Sequence, residues 1–111
     1  MSNVRFKRSV QAGPLHPSIH HALNLISIIW ELYFPAVDPV ITSLRDGEHG
    51  SHSLHYGGPL GDIRVQGLDI RTRNLTDKEQ RVAIVQLRRY LGDAYDVVDE
   101  SNHIHVEYDP T

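Results

Sequence analysis

The sequence predicts an α+β domain, in which helices pack on one face of a small, mainly antiparallel sheet. The hydrophobic pattern along the chain is first typical of a helix, then of strands, then of a second helix and finally of strands again. The chain has 111 residues and is 40% hydrophobic, which is enough for one modest core and too little for two. We therefore expect a single domain over residues 1–111.

Two segments carry the three- and four-residue apolar spacing of amphipathic helices. The first, residues 17–34, starts at the last residue of Pro-Leu-His-Pro (14–17) and ends before Pro35. The second, residues 77–91, follows Thr76, which with Glu79 forms a capping box, and ends before Gly92. Both are expected to contribute an apolar face to the core.

The remaining apolar segments are short and β-prone. Residues 40–44 predict a buried strand that leads into a loop rich in Gly, His and Ser over residues 45–61. Residues 62–72 predict two short strands, or one strand with a bulge near Gly67. Residues 95–98 and 103–108 predict a closing hairpin, because the turn-forming residues 99–102 separate them.

Composition excludes several functional classes. The net charge is -3 and the basic residues are dispersed, so nucleic acid is not an expected partner. No apolar run approaches about 18 residues and no secretory signal is evident, so we expect synthesis in the cytoplasm and no membrane partner. Without cysteine, any transition metal must be held by imidazole and carboxylate groups.

Clustered histidines give the first functional indication, since the chain contains eight. On a strand, His103 and His105 project from one face while Ile104 enters the core. Such a pair alone is more often solvated than metal-bound. His55 and Asp69, each flanked by apolar residues, add an imidazole and a carboxylate. Two histidines and a carboxylate form an open zinc site, in which the bound water has a pKa of about 7.

Three segments, in order, resemble the zinc signature shared by D-alanyl-D-alanine carboxypeptidases and the hedgehog signalling domain. They are Ser53-Leu54-His55-Tyr56, Gly67-Leu68-Asp69-Ile70 and His103-Ile104-His105. The resemblance covers most of the chain and is strongest to short phage-encoded members. It implies a hedgehog/DD-peptidase-like fold, with Zn²⁺ bound by His55, Asp69 and His105, and with His103 beside these ligands. It also implies that Arg45, at the end of the strand before the first ligand, binds a substrate carboxylate.

Two aspartates compete for the carboxylate position. The family usually places its aspartate seven residues after the first histidine, whereas Asp69 follows His55 by fourteen. Asp62 has the expected spacing and fits the signature Ser-x-His-x-x-Gly-x-x-x-Asp-Ile. We favour Asp69, because its segment runs directly into the capped second helix, as the ligand strand of the family does.

The general base is also open to alternatives. Asn102 occupies the position, three residues before the last zinc histidine, where peptidase members often carry an acid. Because an amide cannot accept the proton, the base would be Glu100 or His103. We favour Glu100, whose alternative interpretation is a solvated turn residue.

The expected function is therefore zinc-dependent hydrolysis of a peptidoglycan stem peptide, in phage or prophage lysis of the bacterial cell wall. A D-Ala-D-Ala carboxypeptidase and an L-alanyl-D-glutamate endopeptidase both suit the site, since each cuts beside a carboxylate. The alternative from another class is a non-catalytic binding module of the same fold that zinc stabilises. A metal-free structural protein would leave the three segments as coincidence.

Overall fold

The computed structural model describes residues 3–10, 14–46 and 65–110, apart from the side chains of Arg45, Asp46 and Val65. Two helices and five strands lie within these ranges. They are β1 (Arg5–Phe6), α1 (Pro17–Tyr33), β2 (Val40–Asp46), β3 (Val65–Arg71), α2 (Asp77–Leu91), β4 (Tyr95–Asp99) and β5 (His103–Tyr108). Apart from β1, the order of elements is the one that the sequence predicts.

The strands form one sheet in the order β1-β2-β3-β5-β4. β1 runs parallel to β2, whereas β2 with β3, β3 with β5, and β5 with β4 are antiparallel. The central strand is β3, with β2 on one side and β5 on the other. The predicted α+β class with a mainly antiparallel sheet is confirmed.

A single apolar cluster joins both helices to one face of the sheet. Alternation along β3 and β5 sends every second side chain into this cluster, so the polar residues between them project from the opposite face. The cluster includes Ile19, Ala22, Ile26, Ile29 and Trp30 of α1, Ala83, Ile84, Leu87 and Leu91 of α2, and Leu68, Ile70, Val97, Ile104 and Val106 of the strands. One face of the sheet is thus apolar, and the other carries Asp69, His103, His105 and Glu107.

The local sequence accounts for where each of the two helices begins and ends. His16 caps α1 by accepting a hydrogen bond from the Ser18 backbone N–H at 3.1 Å, and Pro17 occupies the first turn. The helix ends at Tyr33, one residue before the predicted end, because Phe34 has left the helical conformation. α2 has the predicted capping box and ends before Gly92, whose φ of 77° favours glycine.

The strands extend beyond their predicted bounds at two places. β2 continues to Asp46, so the first two residues assigned to the loop belong to the strand, because they pair with Gly67 and Val65 of β3. β1 was not predicted. Its two exposed residues carry no apolar pattern, and the strand is defined by hydrogen bonds such as Arg5 N–H to the Pro39 carbonyl at 2.9 Å.

Segment 62–72 contains one strand within its described part, and the expected irregularity lies beside Gly67. The register between β2 and β3 shifts twice, once at Thr42 of β2 and once at Gln66 of β3. The first shift brings Ser43 opposite Asp69. Neither helix in the described part of the chain is long and apolar enough to cross a membrane.

Candidate metal centre

Strand pairing brings the polar residues of β3 and β5 together. Asp69 lies opposite His105, Arg71 opposite His103, and Gly67 opposite Glu107. Because directly opposed residues of an antiparallel pair project from the same face, Asp69 and His105 meet side by side on the face opposite α1 and α2. Two of the three expected zinc ligands are therefore neighbours in the fold.

The two histidines approach the same carboxylate oxygen. Asp69 Oδ1 lies 2.8 Å from His105 Nδ1 and 3.8 Å from His103 Nε2. The other ring nitrogen of His103, Nδ1, contacts Asn102 Oδ1 at 2.5 Å. Asp69 is only 4% exposed, and a buried carboxylate needs such polar partners. His103 thus lies beside Asp69 in the fold.

Both ring nitrogens of His105 contact carboxylates. Nδ1 faces Asp69, and Nε2 lies 3.1 Å from Glu107 Oε1. The hydrogen bond to Asp69, followed by the one to Glu107, raises the pKa of His105 to about 9, against the opposing effect of burial. Both carboxylates thus favour the protonated form of the His105 ring.

Sequence reasoning missed Glu107. The signal was present, because Glu107 follows His105 by two residues on a strand and so shares its face. It was overlooked because the resemblance assigns no role to this position.

Glu100 lies in the turn between β4 and β5, three residues before His103. Asp99 points to the helical side, where its Oδ1 accepts a hydrogen bond from Gln80 Nε2 at 2.8 Å. The turn is further fixed by Thr72 Oγ1, which donates to the Ser101 carbonyl at 3.3 Å. The Glu100 N–H donates to the His103 carbonyl at 3.0 Å. The Glu100 side chain is exposed and therefore accessible to a substrate.

Several predicted site residues lie outside the described residues. These are His55 and its alternative carboxylate partner Asp62, together with the side chain of Arg45. The backbone of Arg45 pairs with Gly67, two positions along β3 from Asp69. Within residues 3–10, 14–46 and 65–110, no three His, Cys, Asp or Glu side chains form a group that could hold a metal ion.

The pair of donors that is placed fits zinc in its chemistry. Imidazole nitrogen and carboxylate oxygen are both common zinc ligands, and Asp69 and His105 supply one of each. In this structure the two groups contact each other directly, with 2.8 Å between Asp69 Oδ1 and His105 Nδ1.

Comparisons with protein-family models, with curated proteins and with solved structures found no match to this chain.

Proposed function

We propose that this chain is a zinc-dependent peptidase that cleaves a peptidoglycan stem peptide, with a hedgehog/DD-peptidase-like fold and a role in phage or prophage lysis. The ligands would be His55, Asp69 and His105. The observation that carries the proposal is the contact of Asp69 Oδ1 with His105 Nδ1 at 2.8 Å, on the sheet face opposite α1 and α2. Two residues chosen from separate sequence motifs thus come together in the fold.

The residues of the chain would divide the reaction between them. Bound zinc would lower the pKa of a coordinated water to about 7 and polarise the scissile carbonyl. Glu100 would accept a proton from the attacking water and return it to the leaving amine. Arg45 would form a bidentate pair with the carboxylate of the acidic substrate. His103 would help to orient the Asp69 carboxylate, since its ring lies beside it.

The direct test measures metal content and hydrolysis on the same preparation. Purified protein is analysed for zinc and incubated with a stem pentapeptide that begins with L-Ala-D-Glu and ends in D-Ala-D-Ala. We expect stoichiometric zinc and cleavage that a chelator abolishes and added zinc restores. Mass spectrometry of the products distinguishes loss of the terminal D-Ala from cleavage after the L-Ala. A protein without stoichiometric zinc would contradict the proposal.

Single substitutions test the ligand set. His105→Ala should abolish stoichiometric zinc, whereas His20→Ala, which removes an exposed imidazole from α1, should retain it. Asp69→Ala should also lose zinc while Asp62→Ala keeps it. The opposite result for the two aspartates would assign the carboxylate ligand to Asp62.

The rival proposal is a zinc-stabilised binding module without catalysis. Asn102 favours it, because this residue contacts His103 at the position where peptidase members often carry an acid. Stoichiometric zinc in a protein that leaves every bond of the pentapeptide intact would support the binding module over the peptidase.

A further inference from the structure

Glu107 occupies a defined place beside the candidate ligands. It lies opposite Gly67 on β3, and it shares the polar face of β5 with His103 and His105. Its Oε1 is 3.1 Å from His105 Nε2, on the side of the imidazole ring that faces away from Asp69. The side chain of Glu107 is 31% exposed and that of His105 is 14% exposed, so this contact is partly shielded from water.

A metal can take only one nitrogen of His105 while the other keeps its carboxylate partner. Nδ1 contacts Asp69 Oδ1, the oxygen that His103 Nε2 also approaches. Nδ1 is therefore the nitrogen that faces the proposed ligand Asp69. Nε2 is then left to donate its hydrogen to Glu107. A carboxylate that accepts this hydrogen bond fixes the tautomer and the ring orientation of a metal-bound histidine and makes the coordinating nitrogen more basic.

We propose that Glu107 is the positioning residue of the metal centre: it accepts a hydrogen bond from His105 Nε2–H and so holds Nδ1 toward the ion. This inference rests on the proposed zinc site and adds to it both the coordinating atom of His105 and the residue that orients it. Glu107 touches neither the metal nor the substrate in this arrangement.

Zinc affinity, measured by competition with a chromophoric chelator, tests the role of Glu107 without relying on activity. Glu107→Ala should lower the affinity roughly 10–100-fold, the usual effect of losing such a partner. Glu107→Gln, whose amide oxygen can still accept the hydrogen bond, should stay within a few-fold of the parent. Asp96→Ala is the matched control, because Asp96 lies opposite Glu107 on β4 and its loss removes the same charge without removing the contact with His105.

Melting curves of the zinc-free variants show whether each variant folds, and only the zinc affinities of folded variants are compared. Equal zinc affinity in Glu107→Ala and in the parent would overturn the inference and leave the proposed function standing. An equal loss in Asp96→Ala and Glu107→Ala would also overturn it, because a general field effect would then explain the change. A parent protein that binds no zinc would overturn both proposals.

A second measurement uses only the parent chain and so does not depend on whether any variant folds. In protein labelled with ¹⁵N-histidine and loaded with zinc, the imidazole ¹⁵N shifts should show His105 coordinated through Nδ1 and protonated at Nε2. Coordination through Nε2 would overturn the assignment of Glu107, since Asp69 would then be the carboxylate that orients the ring.

Discussion

At the scale of single residues, the site consists of groups that satisfy one another without a metal. Asp69 is buried, yet its carboxylate has His105 as a close partner at 2.8 Å. Removing one member of a buried charged pair leaves the other uncompensated, which costs several kcal/mol. For this reason the folding of each variant of a proposed zinc ligand must be measured before its loss of metal is interpreted.

Glu100→Gln separates general-base catalysis from metal binding. The substitution keeps the shape of the side chain but removes the proton acceptor, so zinc content should be normal while turnover falls roughly 100-fold or more. Glu100 is exposed and is not one of the proposed ligands, which is the reason that metal binding should survive. Turnover of the stem peptide and zinc content are measured on the same samples.

His103→Ala provides the comparison for this prediction. It should reduce turnover less than Glu100→Gln and should mainly weaken zinc binding, because His103 Nε2 lies 3.8 Å from Asp69 Oδ1. If Glu100→Gln kept the parent rate while His103→Ala was inactive, the base would be His103.

At the scale of elements, the start of α2 supports the turn that carries Glu100. The capping box joins the Thr76 N–H to Glu79 Oε1 at 2.8 Å and the Glu79 N–H to Thr76 Oγ1 at 3.1 Å. Gln80, in the next position of the same helix, donates to Asp99 Oδ1 and holds the end of β4. Order at the helix start is thus connected through one side chain to order at the β4–β5 turn.

Thr76→Ala should lower the free energy of unfolding by about 1 kcal/mol, since the hydroxyl that accepts from Glu79 N–H is lost. Thr76→Ser keeps the hydroxyl and should remain close to the parent. Urea denaturation followed by circular dichroism measures both. Equal stability of the alanine variant and the parent would show that the capping box contributes nothing measurable here.

At the scale of the whole molecule, zinc should stabilise the fold. The proposed ligands come from β3, from β5 and from residue 55, which are far apart in the sequence. Bringing them together costs conformational entropy, and the free energy of zinc binding would offset that cost. A ligand that binds only the native state adds about 2.7 kcal/mol when its free concentration is one hundred times its Kd. Chelation should therefore lower the melting temperature, and added zinc should restore it.

The same melting experiment on His105→Ala is the control, because a protein without the site should melt at one temperature with or without chelator. A parent melting temperature that chelation leaves unchanged, with zinc loss confirmed separately, would contradict the stabilising role of the metal.

Elements whose signals are local could be predicted from the amino-acid sequence alone. Helix spacing, the capping box at Thr76 and the turn residues between β4 and β5 act within a few residues of one another, so α2 and the closing hairpin were predicted closely. The common face of His103 and His105 followed in the same way from the two-residue period of a strand. The metal itself, the role of His55 and the choice between Asp69 and Asp62 stay predictions.

Which strands are neighbours could not be predicted from the sequence, because strand pairing depends on packing across the whole fold. Asp69 and His105 are 36 positions apart, and they meet because β5 pairs with the central strand β3 in one particular register. That register follows from burying Leu68, Ile70, Ile104 and Val106 together against the helices, since a slip by one residue would turn these side chains to the opposite face. β1 and the last residues of β2 likewise depend on pairing with another strand. The sequence within either segment does not predict which strand that is.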